Sequence, residues 1–519
     1  MKVMRLHTLR QLLTAPILLA ATASCYNYDQ EDIIDIATNQ YINVTISVTA
    51  SEVSATRAPL GGEYGDGIER GIDVRENKVN NITLIFYKDE DGKGINTTSD
   101  DSKVLFVKKY AVHKAEEGEL PDRHTHKDSE PAYVRTNEII YTTGDQKMEE
   151  TSLEAGKTYK MLVVANADVN IPADAKVMDI RDNVLSTVYA NNGKGNVAKD
   201  FVMTSENDVS VTLNNPTIKK AENKAIYYLD CLHIERLAAR IDYFAKTKDP
   251  VASTYTEAQY DGTHYDHAGY VYNVGPKDGD KQDHFVLTSI TPFNVMNGNE
   301  YIFKRTNDST NPYLADETTQ NWVLDPYSAL TGGKNGTAHP DYLVSKLADV
   351  KENMANDYNI ILSTCQTAST ETTEGTKFSI TDNGVTADNI IIGYPKENTL
   401  NGNITPLYYY ATGLAFEGYY YKKNAATDNG KFTGGTRKVF YHYLRHQGES
   451  DNAYSAHTNE TLSTTATCPS SPAMNFGIVR NNIYRVSIES ITPDNNDLHV
   501  RLLIKVKKWD KFVHTPIYM

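Results

Sequence analysis

A residue period of two is the strongest constraint on this chain. Between positions 498 and 506, Leu498, Val500, Leu502, Ile504 and Val506 alternate with His499, Arg501, Leu503 and Lys505, and Lys507 continues the pattern. Successive side chains of an extended backbone point to opposite faces, so a β-strand puts those five on one side. At about 3.3 Å per residue the segment would span roughly 30 Å, longer than the usual strand. Burying five such side chains is worth very roughly 7–15 kcal/mol, an upper bound before entropy is subtracted. Trp509, Phe512, Val513 and Ile517 extend the apolar supply past a turn-compatible Asp510-Lys511. A terminal strand ordinarily closes its own sandwich, but a neighbouring subunit could use the same energy.

The period recurs near the other end. Ile42, Val44, Ile46 and Val48 alternate with Asn43, Thr45 and Ser47, as a half-buried strand requires. The run gives way to Ser51 through Pro59 and then Gly61, Gly62, Gly65 and Gly67, a small-residue stretch expected to be exposed and flexible. It offers Arg57 to any arginine-specific protease. Removing the Ile42 to Val48 strand would uncover a sheet edge and an apolar groove, which invites strand addition from another molecule.

Between the two ends, β-like runs recur: Ile82 to Tyr87, Val104 to Val107, Glu138 to Tyr141, Tyr159 to Val164 and Val209 to Leu213, separated by Asp/Gly/Asn-rich turns. Short helix-capable pieces such as Ala173 to Val188 are the exception. The pattern predicts an all-β fold of antiparallel sandwiches. With 519 residues, and about 100 to 200 per domain, two to four units are expected. The texture restarts with Ala225 to Leu229 and Ile234 to Ile241, which puts a domain boundary near 225. The polar stretches Asn307 to Gly336 and Thr367 to Gly375 read as surface loops. No fixed-period repeat is present.

Charge narrows the partners. Lys and Arg number 52 against 67 Asp and Glu, a net charge of −15. Nucleic acid and anionic lipid surfaces need a positive field, so neither is expected. The only long apolar stretch lies at the N-terminus and is short of a membrane span. There Lys2, Arg5 and Arg10 precede an apolar Leu12 to Ala21, and Thr22-Ala23-Ser24-Cys25 follows; this reads as a secretion signal. Small residues before Cys25 also resemble a bacterial lipobox, with Thr22 where Leu, Val or Ile is usual. The other cysteines, Cys231, Cys365 and Cys468, are odd in number and form no C-x-x-C pair, so they are expected to be small buried residues, with one disulfide as the lesser alternative.

Motifs for catalysis are weak. Thr151 to Thr158 ends like a phosphate-binding loop but lacks its first glycine and leads into a strand, where a phosphate loop must open a helix. The glycines at 65, 67 and 71 miss dinucleotide spacing by one residue. Asp89, Asp91 and Asp100 resemble part of a calcium loop, yet Lys93 stands where a ligand should be, so a hairpin turn is preferred. His124 with His126, and His442 with His446, have no third metal ligand at suitable spacing. No nucleophile motif occurs and nothing selects a carboxylate pair, so no enzyme activity, metal or cofactor is expected.

One resemblance joins these pieces. Leu153 through Asn166, Ile234-Glu235-Arg236-Leu237-Ala238-Ala239-Arg240, Glu397-Asn398, Tyr443-Leu444-Arg445-His446 and above all Val479 through Ile488 resemble, in that order, the Mfa1-type major fimbrial subunits (fimbrillins) of Bacteroidales. The resemblance implies a cell-surface structural subunit of a type V pilus that supports adhesion and biofilm formation. It implies two transthyretin-like β-sandwich domains at 58–225 and 226–519, after a lipoprotein signal at 1–25 and a propeptide at 26–57. Cys25 would be the acylated residue of an outer-membrane precursor, and Arg57-Ala58 the bond cut by an arginine-specific surface protease, with Arg70 and Arg75 as competitors. The strand of Ile42, Val44, Ile46 and Val48 would then leave. A tail at 498–519, carrying Leu498, Val500, Leu502, Ile504 and Val506, would act as donor strand to another copy in an extracellular fimbrium with accessory anchor and tip subunits. Two alternatives stand beside this reading. One is a non-polymerising anchor or tip protein; the other is a surface glycan-binding lipoprotein, using exposed tyrosines at 408–410 and 419–421.

Overall fold

The computed structural model describes residues 39–47, 68–70, 73–88, 102–115, 140–148, 151–172, 174–181, 183–191, 197–205, 208–246, 264–279, 281–306, 323–327, 342–367, 375–382, 385–399, 410–444, 457–458, 477–494 and 497–510. They form an all-β structure dominated by an 11-stranded and a 12-stranded sheet, to which the terms first and second unit refer.

The first unit uses β1 (Gln40–Ser47), β3 (Asn81–Tyr87), β4 (Val104–Ala111), β5 (Ile140–Thr142), β6 (Gln146–Lys147), β7 (Thr158–Ala165), β8 (Val184–Leu185), β9 (Met203–Ser205), β10 (Val209–Thr212) and β11 (Lys224–Arg236). The short strand β2 (Ile68–Arg70) and helix α1 (Asp73–Glu76) lie between β1 and β3. One layer runs β4-β3-β7, with β9 and β10 along the far edge of β7, all antiparallel. In the other, β1 is sandwiched between β11, which it pairs in parallel, and β5 with β6, which it pairs antiparallel. β11 is 13 residues long and serves both layers: Ala225 to His233 pair β1, and Ile234 to Arg236 pair β9. β3 sits between β4 and β7 and is buried on both faces, which explains its unbroken Ile82-Thr83-Leu84-Ile85-Phe86-Tyr87 run.

The second unit uses β12 (Arg240–Phe244), β13 (Tyr270–Asp278), β14 (Lys281–Phe293), β15 (Glu300–Tyr301), β16 (Lys377–Asp382), β17 (Val385–Gly393), β18 (Gly413–Tyr421), β19 (Thr436–Tyr443), β20 (Asn482–Asp494) and β21 (Asp497–Asp510). Two wings meet on β20. Its first half pairs β12 of the β16-β17-β12 wing, and Ile491 pairs β13 of the β13-β14-β18-β19 wing. The wings close on a shared core in which Tyr243 packs edge-on against Phe416, with ring centroids 6.2 Å apart.

The change of unit falls later than the sequence texture suggests. Ala225 opens β11, and β11 is the partner of β1, so it closes the first unit. The crossover is Leu237-Ala238-Ala239, all fully buried, and the second unit begins with β12.

Candidate functional site

Strand β1 fills a slot in the middle of its layer. Ile42, Val44 and Ile46 are each 0% exposed and belong to the main core of the first unit. The opposite face is covered as well, contrary to the half-buried strand expected from alternation. Asn43 donates to Asp145 Oδ1 at 3.2 Å and accepts from Thr142 Oγ1 at 2.6 Å, and Thr45 Oγ1 donates to the Leu229 carbonyl at 3.4 Å. Thr143 grips the backbone twice: its Oγ1 accepts from Val44 N and its own N–H donates to Val44 O, both at 3.1 Å. At the strand's start, Lys224 pairs with Asp145 at 3.1 Å and lies over the Tyr41 ring. Burying the three aliphatic side chains is worth about 4–9 kcal/mol as an upper bound. Val48, Arg57, Ala58 and Cys25 lie outside the described residues.

The C-terminal alternation forms β21, which returns along β20 as a long antiparallel hairpin from Asp494↔Asp497 to Asn482↔Lys508. Leu498, Val500 and Val506 are buried in the second core, while Leu502 and Ile504 are half-buried against it. In the single chain this strand therefore completes its own sheet. Along its other edge β2 pairs in parallel, Ile68 to Arg70 meeting Lys508 to Asp510. No other described strand pairs that edge. On its outer face, Lys505 Nζ lies 3.1 Å from both carboxylate oxygens of Asp382, and Lys507 Nζ is 3.6 Å away. Burial alone would raise the Asp382 pKa, but Lys507, Lys505 and Arg485 outweigh it and hold the carboxyl below its usual range.

Between the units lies a polar seam that sequence reasoning missed. Glu76 of α1 accepts from Arg240 Nη1 at 2.9 Å and from Tyr394 OH at 2.5 Å, and Arg240 forms a two-point pair with Asp242 at 2.8 Å. Arg480 pairs with Glu397 at 2.7 Å and donates to the Ile302 and Tyr301 carbonyls. Lys304 reaches back to Glu235 of β11 at 2.8 Å, and Lys396 donates to Ser186 O and Gly298 O. Backbone pairing of β8 with β15 runs alongside. Of these contacts, Arg240 and Tyr394 to Glu76, Lys304 to Glu235 and Lys396 to Ser186 cross between the units, while Arg480 and Glu397 brace the second unit's side of the seam.

The seam also removes one processing candidate. Arg75 is 1% exposed and donates to Gly375 O and Tyr394 OH, each at 3.0 Å, so a protease cannot reach it in the folded chain. Arg70 lies in β2. Of the tyrosines expected as an exposed sugar platform, Tyr410 and Tyr421 are buried, with Tyr421 OH bonded to Asp266, whereas Tyr419 and Tyr420 are half-buried, Tyr419 stacked on His267 and Tyr420 OH bonded to Asp283. Tyr408 and Tyr409 lie outside the described residues. Thr151 to Thr158 turns into β7, with Gly156 N and Lys157 O bonded to Leu213, and its backbone N–H groups are not arrayed at a helix start. His442 is buried within β19. Cys365 is a half-buried free thiol whose pKa burial pushes up, and Cys231 lies on β11. The Asp89 to Asp100 turn, His124, His126, His446 and Cys468 fall outside the described residues, as do 511–519.

Among solved structures the chain is similar to a fimbrilin (FimA) from Porphyromonas gingivalis, at 12% identity and a TM-score of 0.37 over 92% of this chain and 99% of that one. It is similar to the tip fimbrial protein Mfa3 from the same organism, at 9% identity and 0.32, over 90% and 100%. A fimbrial assembly protein from Parabacteroides distasonis aligns at 10% identity and 0.30, over 89% and 94%. No protein-family model and no curated protein matches.

Proposed function

We propose that this chain is a structural fimbrial subunit that polymerises by strand exchange at the cell surface after arginine-specific proteolysis, and so supports adhesion. The observation that carries the reading is β1: a strand with Ile42, Val44 and Ile46 wholly buried, placed ten positions before Arg57 in a chain whose first sheet pairs it on both sides. Cutting at Arg57-Ala58 would leave β1 held only by non-covalent contacts. Its loss would expose the edge of β11 and an apolar slot of matching length, a site for an incoming strand from another copy. β21, a 14-residue strand with five apolar residues on one face, supplies a strand of the right pattern. Before processing, Cys25 would hold the precursor at the outer membrane; accessory anchor and tip subunits would start and end the fibre.

Treatment with an arginine-specific protease, followed by SDS electrophoresis without heating, tests this. Cut protein should begin at Ala58, shed the β1 peptide and form a ladder, while R57Q stays monomeric. Trimmed protein that sheds β1 and remains a monomer would refute the exchange.

A further inference from the structure

Strand β21 is unevenly held. Its hairpin end is anchored by Leu498 and Val500, both 1% exposed, and Val506 near the far end is fully buried. From Arg501 to Lys505 every residue is only half-buried, so packing contributes least along the middle. At the end of that stretch and just past it, two further contacts appear together. Asp382 of β16 gathers Lys505 and Lys507 of β21, with Arg485 of β20 at 3.5 Å, and the side chain of Asp382 is 9% exposed. Three residues on, β2 lies in parallel against Lys508 to Asp510.

We infer that Asp382 and β2 form a two-part latch on the distal half of β21, and that this latch, separate from the β1 plug, sets how readily the C-terminal strand leaves its own sheet. The inference rests on the strand-exchange reading and adds a control to it. Asp382 belongs to a different strand from both hairpin members, so the clasp ties β21 to the β16-β17-β12 wing. β2 lies downstream of Arg57, so a cut there leaves the strap on the body. A cut after Arg70 would remove strap and plug in one piece.

Amide hydrogen exchange on the full chain, followed by mass spectrometry, reads the latch without any polymerisation. In D382N and in E69P, peptides covering 503–510 should exchange roughly tenfold faster or more, the scale of one lost charge-assisted hydrogen bond, while 40–47 keeps its protection. D382E should restore slow exchange, and K505M, which keeps the aliphatic stem, should behave as D382N does. If D382N loses protection everywhere, K505M decides at the same peptides. Unchanged exchange at 503–510 in both K505M and E69P would overturn the latch. The parent reading fails differently: trimmed wild type and trimmed K505M would both stay monomeric even though 503–510 is loosened. Ladders forming at equal rates in the two would count against the latch alone.

Discussion

Lys505 places its ammonium 3.1 Å from both carboxylate oxygens of Asp382, joining the C-terminal strand to the opposite wing of its unit. Lys507 and Arg485 face the same carboxylate, Lys246 lines the same cleft, and Asp242 lies behind Arg485 at 3.7 Å. Despite desolvation, those cations lower the Asp382 pKa in the folded state. A carboxyl depressed on folding contributes stability above its unfolded pKa, near 3.9, and loses it as pH falls through the folded value. Resistance to urea unfolding should therefore fall on acidification below about pH 4. D382N should be less stable at pH 7 by about 1.5–3 kcal/mol and show a shallower acid slope over that window. Equal slopes in the two proteins would contradict the assignment.

The seam makes a paired prediction. Glu397 and Glu300 both face Arg480, at 2.7 and 3.7 Å. Burial, only partly offset by Arg480, raises the Glu300 pKa well above normal. A carboxyl raised on folding adds stability below its unfolded pKa and loses it as pH climbs through the folded value. E300Q should thus be near neutral or stabilising at pH 7, whereas E397Q strands a buried guanidinium and should cost about 3–5 kcal/mol. Denaturant midpoints for the two variants, measured side by side, check the contrast.

His284 gives a second pH signature in a different window. Its Nδ1 lies 2.6 Å from Tyr265 OH, and desolvation lowers its pKa, with Asp283 pulling the other way. A base depressed on folding contributes stability above its unfolded pKa of about 6.5 and loses it as pH falls toward the folded value. H284F keeps an aromatic edge toward Phe432 and cannot titrate, so its stability should change less than that of wild type between about pH 7 and 5. Thermal melts across that range are the measurement.

Much of this architecture is legible in the sequence, and what is not has a common cause. Alternation finds β1 and β21 because face-to-face burial repeats every second residue, a signal carried within eight or nine positions. It does not tell how many neighbours a strand has. Asn43 and Thr45 look solvent-facing, yet Thr142, Thr143 and Asp145 fold over them from about a hundred positions away. Tyr421 fails similarly, since Asp266 lies 155 positions from it. The seam is least legible: Arg75 meets Tyr394 across 319 positions, and no local pattern distinguishes a buried Arg or Glu from a solvated one. The boundary near 225 is misplaced because β11 is rich in aliphatic and tyrosine residues at its start, the texture of a new unit, although those residues complete the old one.

The plug itself sets the last expectation. Ile46 is fully buried and pairs Tyr141 on one side and Leu232 on the other, at the end of β1 nearest the proposed cleavage point Arg57-Ala58. In uncut protein I46A should cost about 2–5 kcal/mol, the range for truncating a buried aliphatic side chain. After cutting, β1 is a ligand whose residence depends on the same contacts, so the weakened strand should leave sooner and the ladder should appear faster. A synthetic peptide spanning 40–47, added in excess, should refill the slot and slow polymerisation of wild-type protein by mass action. A peptide carrying Asp at position 44 should not, because it would bury an unpaired carboxylate. If neither I46A nor the wild-type peptide changed the rate, the slot vacated by β1 would not be where subunits join.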